Sequence, residues 1–349
     1  MPGKWEEPAP ADEAGRAGAA YLARNVLSNG RFRYLVDPAT GRSGPGYNLL
    51  RHAGALMALG IWAGRLSEAE ALPAMARSAD FLLERVSKAG PGGRPCLVSK
   101  GRAKLGGSAL LILALLEKDA ALGSDRNFEL CEGLADYLVS QQCASGAFAS
   151  IHRIDGGEAR PFHSDYYPGQ AVLALLRFHA AAGSPRHLAA GLAGASHLLE
   201  REPLPLQPTD VADHWLIMAL AAAHRFEERP LFLARALAGG ERVMRQALRP
   251  AGDSSEVADP DYGCAPAATR GEALAAAARL ALLAGDTAAA ERFGRGLGGV
   301  VRFCLRHRWL QPGACLGGFS TSRSDRRIRV DTVQHAILAM DSLAGLLRR

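Results

Sequence analysis

Apolar and polar positions along this chain alternate between two kinds of helical segment. One kind mixes apolar residues at helical spacing with Arg, Glu and Asp, as in ADFLLERVSK and FELCEGLADYLVSQQ; these stretches lie near 12–27, 68–88, 125–142, 185–201, 230–248 and 286–308. An apolar stripe backed by charge predicts a helix with one face on a core and the other in water. The second kind is poorer in charge and richer in small residues: YNLLRHAGALMALGIWAG, KLGGSALLILALLEK, DYYPGQAVLALLRFHAAAG, DHWLIMALAAAHRF, TRGEALAAAARLALLAG and RVDTVQHAILAMDSLAGLL. A helix apolar nearly all round has to be covered on most sides. These segments start at a spacing of roughly 50–60 residues, in the range of helical-hairpin repeats.

The connections are asymmetric. A buried-type helix passes to the next amphipathic one through a few residues, such as AGD at 284–286 or AGSPR at 182–186. The return connections are long and rich in Gly, Pro and aromatics, as in 28–46, 143–164 and 311–328. All the long loops therefore emerge at one end, over the N-termini of the inner helices, and long loops on a rigid scaffold are where function concentrates. Three carry an aromatic after glycine (Gly30-Arg31-Phe32, Gly146-Ala147-Phe148 and Gly318-Phe319), which suggests small β-hairpins around the mouth. The pattern predicts one all-α domain spanning 1–349: a closed ring of about six helical hairpins with its termini close together.

Composition narrows the partners. The chain has 349 residues, 48% hydrophobic, and a repeat architecture removes the size limit that a single core of this length would meet. The net charge is +6, but arginines are spread along the chain and no basic face is interleaved with stacking aromatics, so a nucleic-acid partner is not expected. No apolar run approaches the ~18 residues of a membrane span. The N-terminal stretch has no apolar core of the secretory kind, and six cysteines show no Cys-x-x-Cys pair; reduced thiols in a cytoplasmic protein is the expectation. Oligomeric state is left open.

This outer–inner alternation, with glycine–aromatic loops and polar residues opening each inner helix, resembles the (α/α)6-toroid enzymes, the six-hairpin glycosidase-like superfamily. The segment SDYYPGQAVLALLRFHAAAGSPRHLAAG is similar to the helix opening and hairpin of sugar-acting toroids. The resemblance spans nearly the whole chain and is architectural. It implies an enzyme working by acid/base residues at the mouth of the ring on a carbohydrate-like small-molecule or oligosaccharide substrate, by glycoside hydrolysis, elimination or epimerisation; the interspersed arginines and net positive charge suit an anionic one. Related toroids imply two alternatives: a zinc- or acid-assisted cyclase or transferase of the prenyltransferase or lanthionine-cyclase type, and a non-catalytic binding toroid. Fold alone does not select a reaction.

Each inner helix opens with groups that could carry chemistry. In order these are Tyr47, Asn48, Arg51 and His52; Lys100 and Lys104; His163, Asp165, Tyr166 and Tyr167; Asp213, His214 and Trp215; Arg270 and Glu272; Arg329, Asp331 and His335. Asp165, Asp213, Glu272, Asp331, His52 and His335 are the catalytic candidates, since glycosidic cleavage needs two facing carboxylates and a lyase or epimerase needs a group to move a proton. Tyr47, Arg51, Lys104, Tyr167, His214, Trp215, Arg270 and Arg329 are the substrate-binding candidates, for ring stacking and for bidentate contacts to an anion. The competing reading of Asp165, Asp213 and Asp331 is helix capping, that of His52 and His335 is core packing, and that of the arginines is pairing with the acids.

No cofactor is expected. Asp261, Cys264 and His335 offer zinc-type ligands, but at poor spacing, so no metal is expected either. Gly294-Arg-Gly296-Leu-Gly-Gly299 spells a dinucleotide fingerprint without strand or βαβ context, and is read as helix packing.

Overall fold

Twelve α-helices carry the described residues, which in this computed structural model are 8–154, 162–201, 213–251 and 254–348. The amphipathic segments form α1 (Pro8–Arg24), α3 (Glu68–Leu83), α5 (Phe128–Ser140), α7 (Pro185–Arg201), α9 (Pro230–Ala247) and α11 (Thr287–Leu305). The segments apolar all round form α2 (Leu49–Trp62), α4 (Leu105–Leu122), α6 (Tyr166–Ala182), α8 (His214–His224), α10 (Cys264–Leu283) and α12 (Val330–Leu347). Each of this second set packs on its two neighbours in the set, and α12 packs on α2, so six inner helices close a ring. The amphipathic helices lie outside it, each against the inner helix of its own hairpin, with α1 against α12. This is the (α/α)6 toroid that the hydrophobic pattern predicts, with the first and last helices in contact.

Local chemistry fixes the alternation. Short inner-to-outer turns end their helices on left-handed glycines, Gly123 after α4 and Gly183 after α6, where only glycine avoids a Cβ penalty. Outer-to-inner entries are capped by side chains: Asn48 accepts from the amides of Leu50 and Arg51 at the head of α2, and Asp213 from that of Trp215 at the head of α8. Trp62 holds the ring shut. Its buried indole Nε1–H donates to the Ile337 carbonyl of α12 at 3.1 Å, and the ring lies over Gly15 of α1, where a Cβ would come within 2.2 Å.

Little strand structure decorates the mouth. Strands β1 (Leu35–Val36) and β8 (Ile328–Arg329) pair antiparallel, Leu35 opposite Arg329, and tie the first long loop to the last. Strands β2 (Val86–Ser87), β3 (Cys96–Ser99), β4 (Arg102–Lys104) and β5 (Ile151–Arg153) form an antiparallel sheet in chain order, and β6 (Leu248–Ala251) and β7 (Ser254–Val257) a hairpin. The glycine–aromatic turns each close on a single bridge: Val26 to Phe32, Gln142 to Phe148 and Arg308 to Phe319. Gly146 has φ +86°, and a Cβ there would sit 2.4 Å from the Ala193 carbonyl of α7. The turn can lie on the next outer helix only because that residue is glycine. No described helix is long and apolar enough to cross a membrane.

Candidate functional site

The ends of the inner helices enclose a cavity of about 560 Å³, and all six contribute to its wall. The sequence candidates Arg51, Tyr167, His214, Trp215, Arg270, Arg329, Asp331 and His335 line it. Tyr167 and Tyr166 come from α6, and burial raises the Tyr167 phenol pKa. Trp215 is almost wholly buried and tilts against the His214 ring with centroids 4.9 Å apart, so it forms floor rather than an open stacking face.

Two histidines meet in this cavity. His335 Nδ1–H donates to Glu272 Oε1 at 2.7 Å, and Glu272 is buried beneath it on α10. Burial by itself pulls the His335 pKa down, but the Glu272 charge, its hydrogen bond and the Asp331 charge outweigh that and leave it above the ordinary value, with Arg51 opposing. His214 is pushed the other way, well below the ordinary value, by burial first and then by its cationic neighbours His335 and Arg270. The two ring centroids are 5.8 Å apart at 85°, and the buried His214 Nε2 has no hydrogen-bond partner. One imidazole is thus biased to carry a proton and its neighbour to lack one, the arrangement by which a site separates an acid from a base.

Asp331 organises the other flank. Its carboxylate accepts from Arg329 Nε and Nη2 at 2.5 and 2.9 Å and pairs with Arg51 Nε at 3.0 Å, while Arg51 Nη1 also donates to the Tyr34 hydroxyl. Both oxygens are engaged by guanidinium groups. Among the described residues Arg270, by contrast, reaches only Thr269 Oγ1, at 3.3 Å.

Other sequence candidates lie away from the cavity wall. His52 faces α3: Tyr47 O–H donates to its Nδ1 at 2.7 Å, its Nε2–H donates to the Ser78 carbonyl at 2.9 Å, and its ring stacks on Phe81. Burial drives its pKa down to about 3, so it is a neutral core histidine. Tyr47 belongs to the same cluster, its hydroxyl accepting the Phe32 amide at 2.9 Å. Lys104 sits in β4 opposite Ile151, and Lys100 with Gly101 makes the β3–β4 turn at positive φ; these basic residues belong to a hairpin that continues into α4. Asp165 is exposed at the head of α6, and its side chain makes no cap bond. Asp213 spends an oxygen on the Trp215 amide at 2.9 Å.

Gln170 and Gln334 line the cavity and were not among the sequence candidates. The available signal was paired: each is a polar residue within a buried helix facing a glycine on the neighbouring one. A Cβ on Gly106 would lie 2.2 Å from Gln170 Oε1, and one on Gly54 2.4 Å from Gln334 Oε1.

Among the described residues, His214, Glu272 and His335 are the group that could hold a metal ion, one ligand atom from each lying within 4.8 Å of the others. The 2.7 Å contact between His335 and Glu272 uses an oxygen and a ring nitrogen for one shared proton, closer than two ligands spread over a tetrahedral ion. The zinc alternative built on Asp261, Cys264 and His335 is not assembled: Asp261 is exposed, and the buried Cys264 thiol shares a hydrogen bond with the free thiol of Cys304, which with burial raises its pKa.

No protein-family model matches the chain, and no curated protein matches it. Solved structures do. A D-mannose isomerase superposes with a TM-score of 0.72 at 14% identity, covering 99% of both chains. A sugar epimerase from a ruminal bacterium gives 0.69 at 12%, covering 94% of this chain and 96% of its own. The GH76A α-1,6-mannanase from Salegentibacter sp. HEL1_6 gives 0.68 at 13%, covering 97% and 100%. At these identities the likeness is one of fold.

Proposed function

We propose that this chain is a carbohydrate-processing enzyme that moves a proton at a sugar carbon beside a carbonyl, an epimerase or isomerase, with His214 as base and His335 as acid. One observation carries the reading: two adjacent histidines whose surroundings bias them to opposite protonation states. On an open-chain sugar, neutral His214 takes the proton from the carbon next to the carbonyl, and the C–H electron pair forms the enediol double bond. His335 gives its proton to the carbonyl oxygen. Return of a proton to the same carbon from the other face, as the former carbonyl oxygen gives its proton back to His335, inverts it; return of a proton to the former carbonyl carbon, as the other enediol hydroxyl gives up its proton, exchanges aldose and ketose. Glu272 stays bonded to His335 and fixes which ring nitrogen faces it. Solved structures that share this fold include a mannose isomerase and a sugar epimerase, which supports the reading.

Hydrolysis needs one carboxylic acid to protonate the leaving oxygen and a second carboxylate to act on the opposite face. Here Asp331 is held by two arginines and Glu272 by His335, while Asp213 caps a helix and Asp165 is exposed, off the cavity wall. The test is exchange of the proton on the carbon beside the carbonyl, C2 of D-mannose and D-glucose and C1 of D-fructose, in deuterated water, followed by NMR. Exchange that falls by about 10²-fold or more in both His214→Gln and His335→Gln is expected. Release of sugar from an oligosaccharide without that exchange, or full exchange in either variant, would reject the assignment.

A further inference from the structure

The cavity's polar groups divide into a satisfied and an unsatisfied flank. On α2 and α12, Arg51 and Arg329 are both committed to Asp331. On α6, α8 and α10, three consecutive inner helices, the groups are left over. Gln170 Oε1 and His214 Nε2 are buried with no partner, and Arg270 makes no ion pair among the described residues. Buried polar atoms are almost always paired in a folded protein, so unpaired ones gathered on one wall of a cavity mark where a ligand completes the set.

The charges point the same way. With His335 carrying its proton, four cations (Arg51, Arg270, Arg329 and His335) face two carboxylates, Asp331 and Glu272. Arg51, Arg329 and His335 are each in contact with a carboxylate; Arg270 is the one left over. An arginine half out of water beside an apolar floor is a strong, planar recognition group for an oxyanion, which it can meet with two parallel N–H bonds.

We propose that Arg270 anchors an anionic group on the substrate, so that the cavity takes a sugar bearing a carboxylate or a phosphate monoester. The sugar skeleton rests on the proton-transfer reading above. The anchor is a statement about binding, and binding can be measured without turnover. This placement also separates the arginines by role: Arg51 and Arg329 hold Asp331, and Arg270 reads the ligand.

Isothermal titration at low ionic strength with D-glucose, D-glucuronate and D-glucose 6-phosphate tests it, since the three share a skeleton and differ at one carbon. At least one anionic form should bind about tenfold or more tightly than glucose, and which of the two does so identifies the anion. Arg270→Met should remove that preference while changing glucose affinity less than about threefold, and Arg270→Lys should keep part of it. Melting temperatures of both variants show whether they are folded. Equal affinity for all three sugars, no measurable binding of either anionic sugar, or a preference that survives in folded Arg270→Met would overturn the proposal. Anion-dependent binding without exchange of the proton beside the carbonyl would sink the proton-transfer reading and leave the anchor standing; exchange without anion preference would do the reverse.

Discussion

His52 offers a test whose size follows from its surroundings. Its two ring nitrogens are used by Tyr47 and Ser78, Phe81 stacks on it at 5.0 Å, and Phe32 meets it edge-on at 4.9 Å. The folded state therefore holds it neutral, with a pKa of about 3 against 6.5 when unfolded. Because the unfolded chain binds this proton and the folded one refuses it, stability rises with pH between those values and falls as pH drops below 6.5. At about pH 4.5 the penalty from this one group is about 3 kcal/mol, and at about pH 7.5 it is nearly zero. His52→Gln removes the titration along with the packing and a hydrogen bond, a loss of about 1–3 kcal/mol for the unpaired polar groups alone. The variant should thus be clearly less stable than wild type near neutrality, with its deficit shrinking by about 3 kcal/mol at about pH 4.5. Urea unfolding followed by circular dichroism at both pH values gives the deficit directly. His214 and His335 titrate in both proteins and drop out of the difference. A deficit that does not change with pH would mean that His52 takes up a proton in the folded state, and the account of it as a neutral core residue would fail.

Three further outcomes are expected. If His335 must be protonated for proton transfer, kcat/KM falls as pH rises through its elevated pKa; Glu272→Gln removes the largest effects holding that pKa up while burial remains, so the alkaline limb should move below about 6.5 in a pH–rate profile. Gly146→Ala, with positive φ and a Cβ 2.4 Å from the Ala193 carbonyl, should cost more than the about 1–3 kcal/mol of strain alone, whereas Gly41→Ala, at φ +66° with nothing within 4 Å, should cost only the strain; chemical denaturation of the pair separates the two effects. Asp213→Asn preserves the cap on Trp215 and should leave stability and activity near wild type, while Asp213→Ala should lose about 1 kcal/mol, read as a shift in unfolding midpoint; loss of turnover in folded Asp213→Asn would return this residue to the catalytic candidates.

The ring was legible because its inner helices cannot be anything but buried. Segments such as Leu105–Leu122 and Cys264–Leu283 have no polar face to give to water, and six of them at regular spacing need each other. The sheet from β2 to β5 was not legible for the opposite reason. Its strands are two to four residues long, too short for a period of two to register, and β4 finds β5 nearly fifty residues downstream.

Within the site, the error and the success come from the same geometry. His52 and His335 look alike in sequence, each a lone imidazole in an apolar helix, yet one belongs to the core and the other to the cavity. Axis-facing positions on α12 run Asp331, Gln334, His335, Leu338 and Asp341, and those on α2 run Arg51, Gly54, Met57 and Ile61. His335 is in phase with its series, while His52 is one residue off, and one residue is about 100° of helix. That rotation turns the ring from the axis onto α3. The acids divide by surroundings in a way that spacing does not encode. A carboxylate near a helix N-terminus can cap it, hold an arginine or polarise a histidine, and Asp213, Asp331 and Glu272 do one each. With the three carboxylates occupied in this way, the groups on the cavity wall that no carboxylate engages among the described residues include an imidazole, an amide and a guanidinium. Those are suited to moving a proton and holding an oxygen-rich anion, and the wall they share is where a substrate would have to sit.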